Sequence, residues 1–265
     1  MNVDTVKPIE KKSIKDRVWE IDFLRGFLIL FVVFDHFMWT VVFEIFGDFG
    51  GLTNFAFKYV DGAARAAVHG VFVAGFMLLS GVSTAFTRSN FKKSIKVLFF
   101  AFLLTWLTYV AEITDLAPEA IISFGILHTL GFSGLIWTVF EKVKMPAWVI
   151  LVFAVQILFI GYYFTANPLE VAISSKNLIY FIFVETSQHG ALSPMDYFPL
   201  LPWFGWFLVG VGTSKLLYKN KKTLFPKVNA NFLRPLTFCG RHSLEIYFLG
   251  EIGAFIVLFL ISLML

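Results

Sequence analysis

The chain has a single cysteine, Cys239, which excludes an intrachain disulfide and a cysteine-held metal cluster. Charge is scarce too. Only 15% of the residues are Asp, Glu, Lys or Arg, against about 25% in a soluble domain. That is too little to solvate a globular surface. The five histidines have no HxxxH or HExxH spacing, so no metal is expected. There is no GxSxG elbow and no phosphate loop, and no period that would mark a repeat protein or an inverted-repeat transporter. No cleavable signal peptide is expected, because the stretch up to Glu20 is polar and the apolar run after it is too long for an h-region.

Apolar bulk is what the chain does have: 58% of it is hydrophobic, with 34 Phe and 7 Trp. Lipid-facing helices carry such side chains all round. The expected class is therefore all-α. A basic tail (1–17) precedes one polytopic membrane bundle (18–265) of about seven helices in the lipid bilayer. The expected spans are Leu24–Phe46, Gly70–Thr87, Ile95–Ala111, Ala120–Phe140, Ala147–Phe164, Phe198–Tyr218 and Ser243–Leu263. Leu178–Glu185 is too short to cross and is expected to be interfacial or re-entrant.

Loop charge alternates along this series. The tail, Arg88–Lys96, Lys142–Lys144 and Lys215–Arg234 are basic; the remaining connections hold Asp48, Asp61, Asp115, Glu119, Glu170 and Asp196 with few cations. Basic connections stay inside. The N-terminus is expected in the cytoplasm and the C-terminus outside, in the cell membrane. The net charge of +4 is then a matter of orientation, and no nucleic-acid partner is expected.

Ionisable groups at membrane depth cost about 3 kcal/mol by insertion scales, so they line cavities or pair with each other. The first span is rich in them. By helix geometry Arg25 and His36 lie about 20° apart, and Asp22 about 40° from His36, on one stripe. Asp22 and Arg25 form either a helix-end anchor or part of a ligand site. His36, near mid-span, is either a packed polar residue or a functional one. Asp35 points about 100° away from His36, so spacing alone does not make it orient the ring; its adjacency keeps it a catalytic candidate. His128, beside Gly125, Gly131 and Gly134, is either a second candidate or a histidine hydrogen-bonded across a tight helix interface. His69 and His189 read more simply as solvated. Arg241 and Glu245 are spaced as an i,i+4 pair that stabilises a helix start, or Arg241 meets an anion. Pro199 and Pro202 predict a kinked start to the sixth span, where freed backbone lines a cavity. Trp203 and Trp206 suit an aromatic belt.

Five boxes in order carry a family resemblance. They are Arg17-Val18-Trp19-Glu20-Ile21-Asp22-Phe23-Leu24-Arg25-Gly26 with Asp35-His36; Leu78-Leu79-Ser80-Gly81-Val82-Ser83; Phe124-Gly125-Ile126-Leu127-His128; Tyr197-Phe198-Pro199-Leu200-Leu201-Pro202-Trp203-Phe204-Gly205; and Gly240-Arg241-His242-Ser243-Leu244-Glu245-Ile246-Tyr247. Together they resemble the heparan-alpha-glucosaminide N-acetyltransferase catalytic-domain family, within the wider group of transmembrane acyltransferases. Two positions depart from the pattern. The lysosomal branch has asparagine where His36 stands, and many members have a histidine shortly after the last Tyr, where this chain has Gly250-Glu251.

The resemblance implies transfer of an acetyl or other acyl group from cytoplasmic acyl-CoA, acetyl-CoA above all, to an amine or hydroxyl of a sugar or glycan acceptor. Such a reaction needs a base, an oxyanion stabiliser and a site for the anionic donor. His36 is the first candidate base, with His128 and Asp35 after it; an acyl-histidine intermediate is an equally open route. Arg25 and Arg241, with Asp22 beside them, are the candidates to bind the donor phosphates. His69, Asp196 and Trp203 are the candidates to meet the acceptor. A homodimer is admissible. The competing classes are a transporter or flippase whose polar residues line a permeation path, and a non-catalytic membrane sensor.

Overall fold

A computed structural model describes residues 18–42, 47–117, 120–170, 178–187, 192–193, 196–228 and 230–264. The basic tail and His189 lie outside them. The described residues form ten α-helices: α1 (Trp19–Val42), α2 (Gly51–Val60), α3 (Ala63–Val82), α4 (Asn90–Ile113), α5 (Ile126–Phe140), α6 (Ala147–Ala166), α7 (Leu178–Phe183), α8 (Leu200–Leu217), α9 (Arg234–Arg241) and α10 (Ser243–Ser262). No strand occurs among them.

Local sequence sets the starts. Ser89 caps α4, its hydroxyl accepting from the Lys92 N–H at 3.3 Å. α6 and α8 begin directly after Pro146 and Pro199, residues whose fixed φ suits entry to a helix. The predicted kink in α8 is present: Leu201 departs from helical geometry at φ −100, ψ 128.

Among the described residues, five helices are long and apolar enough to cross a membrane: Ala63–Phe86, Asn90–Ile113, Ala147–Ala166, Leu200–Leu217 and Ser243–Ser262. α1 is as long as α4. Phe99, Trp106, Phe159 and Leu260 point outward, a surface suited to lipid rather than water. The protein is thus a multi-pass helical membrane protein.

The segment expected to be a fourth span is helical only from Ile126, because residues 120–125 are irregular. The 15 residues of α5 rise about 22 Å, short of the roughly 30 Å hydrocarbon core. The stretch read as an outer loop, Asp48–Arg65, holds α2 and the start of α3. Leu178–Glu185 is the short helix α7.

The connections read as basic gather at one end of the bundle. Glu20 at the start of α1 accepts from Thr223 Oγ1 (2.8 Å) and the Leu224 N–H (2.8 Å), just past α8. Asn90 reaches Glu141 (2.7 Å), and Lys215 donates to the Met145 carbonyl (2.7 Å). From this end α1, α4, α6 and α10 lead away, and α3, α5 and α8 return.

Two glycine pairs bring helix backbones into contact. A Cβ on Gly81 would sit 2.0 Å from the Phe207 carbonyl oxygen, and one on Gly210 would sit 1.9 Å from that of Leu78. These two contacts lock α3 to α8. Gly26 and Gly240 lock α1 to α9 in the same way, with Cβ positions 1.9 Å from the Leu236 oxygen and 1.7 Å from the Asp22 oxygen. Helices in lipid associate through close packing of this kind.

Gly210→Ala should therefore destabilise the protein by about 1–3 kcal/mol, the usual cost of overpacking. Gly253 in α10 has nothing within 4 Å of its Cβ position, so Gly253→Ala should be neutral or up to about 1 kcal/mol stabilising. Melting in detergent reads both; equal melting temperatures for the two variants would refute the lock.

Candidate functional site

α1 presents two polar positions on one face, and each opens on a cavity. The larger, about 300 Å³, lies at the far end from the basic connections and is lined by Asp35, His36, Arg65, His69, Asp196 and Glu251, among others. His36 Nδ1 stands 2.8 Å from Glu251 Oε1 on α10. The His36 ring lies edge-on to Tyr247, with centroids 5.6 Å apart. With Nδ1 facing a carboxylate, Nε2 is left as the ring atom that can accept a proton.

Asp35, one residue earlier, faces another way, as helix geometry requires. Its carboxylate takes a two-pronged contact from Arg65, Nε at 2.6 Å and Nη2 at 2.9 Å, and a bond from the Tyr59 hydroxyl at 2.9 Å. Arg65 also lies over the Trp39 ring at 5.2 Å. Burial and the bond to Asp35 push the Tyr59 phenol above its ordinary range. This cluster ties α1 to α2 and α3.

The broken start of α5 forms the chamber's inner wall. Asp196 Oδ2 accepts from the Ile126 N–H at 3.0 Å, and burial pushes the Asp196 carboxyl up to about 6. The Gly125 N–H donates to His128 Nδ1 at 3.2 Å, and His128 Nε2 lies 3.2 Å from Thr105 Oγ1. An acceptor role at Nδ1 places the ring proton on Nε2, directed at Thr105. The Thr105 hydroxyl itself donates to the Ile122 carbonyl at 2.6 Å. Both nitrogens of His128 are therefore engaged in holding the break.

The second cavity, about 60 Å³, lies toward the basic end and is lined by Arg25, Asn90, Lys93, Ser94, Ser243 and Tyr247, among others. Arg25 Nη2 donates to Ser243 Oγ at 2.9 Å. No Asp or Glu lines this cavity among the described residues, so its character is cationic. Its size admits a narrow arm or a phosphate group, not a nucleotide.

Of the residues singled out by sequence, His36, Asp35, His69 and Asp196 meet at the larger chamber, and Arg25 lines the smaller cavity. Asp22 lies within Coulombic reach of Arg25. Arg241 is exposed at the end of α9, bonded to the Thr237 carbonyl at 3.1 Å. The helix breaks at His242, so the i,i+4 pairing of Arg241 with Glu245 does not form; Glu245 pairs with Lys96 at 2.7 Å instead. Trp203 packs on Phe198, with ring centroids 5.4 Å apart, outside the chamber lining. His69 lines the chamber and stacks on Phe198, a more enclosed place than a solvated loop. Sequence reasoning missed Glu251, Arg65, Tyr59 and Lys93. The i, i+4, i+8 spacing of Ser243, Tyr247 and Glu251 along α10 was the signal available for the first.

Apolar helices around a polar chamber with a carboxylate-backed histidine define a membrane protein built for chemistry or binding at depth. The family described as heparan-alpha-glucosaminide N-acetyltransferase, catalytic, matches the chain over residues 17–252. The chain belongs to that family of membrane acetyltransferases. Neither the curated proteins nor the solved structures contain a significant match.

Arg65→Met would leave the Asp35 carboxylate buried without its guanidinium. Breaking such a pair costs about 3 kcal/mol or more, so the variant should melt well below the parent. Adding Asp35→Asn should recover part of the loss. A normal melting temperature for Arg65→Met alone would show the pair to be structurally idle.

Proposed function

We propose that this protein moves an acetyl group from cytoplasmic acetyl-CoA, or a related acyl-CoA, to an amine or hydroxyl of a saccharide acceptor on the opposite side of the cell membrane. The observation that carries this reading is the pair of cavities on one face of α1. One is cationic, at the basic end; the other holds His36 against Glu251. Along the helix the two positions are roughly 16 Å apart, a span that the pantetheine arm of CoA covers.

In this reading the donor enters from the basic end, which the loop charges favour as cytoplasmic. Arg25 and Lys93 draw in the donor's polar arm, and the nucleotide stays outside near exposed Arg241. The acceptor enters the larger chamber among His69, Asp196 and the aromatic rings of Trp39 and Tyr197. Glu251 holds the His36 ring and stabilises the imidazolium that forms when Nε2 takes the acceptor's proton. His36, not His128, is the proposed base, because His128 has no uncommitted nitrogen.

Purified protein in lipid, supplied with radiolabelled acetyl-CoA and candidate aminosugars, tests the reading directly. His36→Ala should lose about 10²–10⁴-fold in transfer, the usual cost of a general base, while folding and acetyl-CoA binding stay near normal. Near-normal turnover in well-folded His36→Ala would overturn the assignment. Orientation is tested separately. In a Cys239→Ser background, Lys221→Cys should react with a membrane-impermeant thiol reagent only from the cytoplasmic side. Labelling from outside would invert the donor and acceptor faces.

A further inference from the structure

Tyr247 adjoins both parts of the site. It lines the cationic cavity, and its ring abuts His36 of the larger chamber. Ser243, Tyr247 and Glu251 follow one stripe of α10 at successive four-residue steps, and that stripe tracks the stripe of α1. Ser243 meets Arg25, and Tyr247 and Glu251 both meet His36.

The Tyr247 side chain is 1% exposed. Its hydroxyl has no hydrogen-bond partner among the described residues. Buried polar groups are nearly always paired, and one left unpaired calls for a reason. Packing offers none here, since a phenylalanine would fill the same space without stranding a hydroxyl. Two backbone donors at the start of α5 are taken: the Gly125 N–H is held by His128 and the Ile126 N–H by Asp196. Those two N–H groups therefore cannot bind an oxyanion without giving up their present acceptors.

We propose that the Tyr247 hydroxyl is the donor that binds the thioester carbonyl of the acyl donor and stabilises the oxyanion formed from it. The proposal rests on the acyl-transfer reading above. His36 Nε2 takes the proton from the acceptor's N–H or O–H as the acceptor atom bonds to the carbonyl carbon. The carbonyl π electrons move onto oxygen, and Tyr247 donates its O–H to that oxygen without losing the proton. The carbonyl re-forms, the carbon–sulfur bond breaks, and the departing thiolate takes the proton from His36. A donor fixed in a dry site before reaction needs no reorganisation when charge develops, which is the property an oxyanion site requires.

The experiment is isotope-edited infrared spectroscopy of acetyl-CoA labelled with ¹³C at its carbonyl, bound to the full chain in lipid nanodiscs. In the parent protein the carbonyl stretch should move to lower wavenumber than in Tyr247→Phe. Tyr247→Phe should bind acetyl-CoA within about twofold of the parent yet lose about 10²–10³-fold in kcat, the typical effect of removing one oxyanion donor. Its melting temperature should be unchanged or higher, because the variant removes a stranded hydroxyl. Fluorotyrosine incorporated at position 247, a stronger donor, should move the stretch further down. A carbonyl frequency identical in parent and Tyr247→Phe would overturn this inference and leave the acyl-transfer reading standing. Failure of the parent to bind acetyl-CoA at all would overturn both.

Discussion

Backbone N–H groups away from water must find partners, and α5 breaks this rule's easiest solution by starting partway through the bundle. Its leading residues cannot bond within a helix, so side chains from α4, from the stretch before α8 and from α5 itself come to them. Glu112 and Thr108 on α4 accept from Ile121 and Ile122 at 3.0 and 3.2 Å. Ser193 accepts from Ser123 at 3.0 Å and from Phe124 at 3.4 Å, and His128 and Asp196 accept from Gly125 and Ile126. The Phe198 N–H bonds back to the Phe124 carbonyl at 3.1 Å. Satisfying this one break draws the stretch before α8 against α5 and puts a carboxylate, Asp196, in the chamber wall. The chamber is a by-product of irregular backbone that had to be satisfied.

α1 does the complementary work from the other wall. A helix turns 100° per residue, so the adjacent Asp35 and His36 serve different neighbours. Asp35 is spent on Arg65 and Tyr59, which fixes the α2–α3 corner. His36 is thereby left to Glu251 and the chamber. The glycine contact between α1 and α9 holds the opposite end of α1 at backbone distance, so both polar positions are set on a helix that is clamped at each end.

Much of this was legible beforehand. Apolar runs locate the long helices, and the basic connections that the charge pattern groups together do lie at one end. His36 and Arg25 stood out because ionisable groups at depth need a reason; His69, read as solvated, and Asp196, read as a loop acid, were named only as candidates to meet an acceptor. Periodicity, however, gives a direction around one helix and says nothing of which helix stands opposite. Glu251 therefore stayed invisible as the partner of His36, from the other end of the chain. Arg65 and Tyr59 were hidden in a stretch whose charges read as loop, and Lys93 in another. The Arg241–Glu245 spacing misled because it assumed a continuous helix across His242. The start of the fourth span was misjudged because apolar content does not separate a helix from irregular chain whose donors are capped by side chains.

The arrangement of Asp35 and His36 also polices assembly. Were α1 to slide by one residue in one direction, Asp35 would face Glu251, two carboxylates in a low-dielectric site, and Arg65 would face the apolar Phe34. A slip the other way would set His36 against Arg65 and leave Glu251 facing Phe37. Either misregister strands buried charge, so only one alignment of α1 against both α3 and α10 is tolerable. Apolar contacts between lipid-like helices slide easily; this pair of neighbours, answering to opposite sides, works as a two-pin key that admits a single seating.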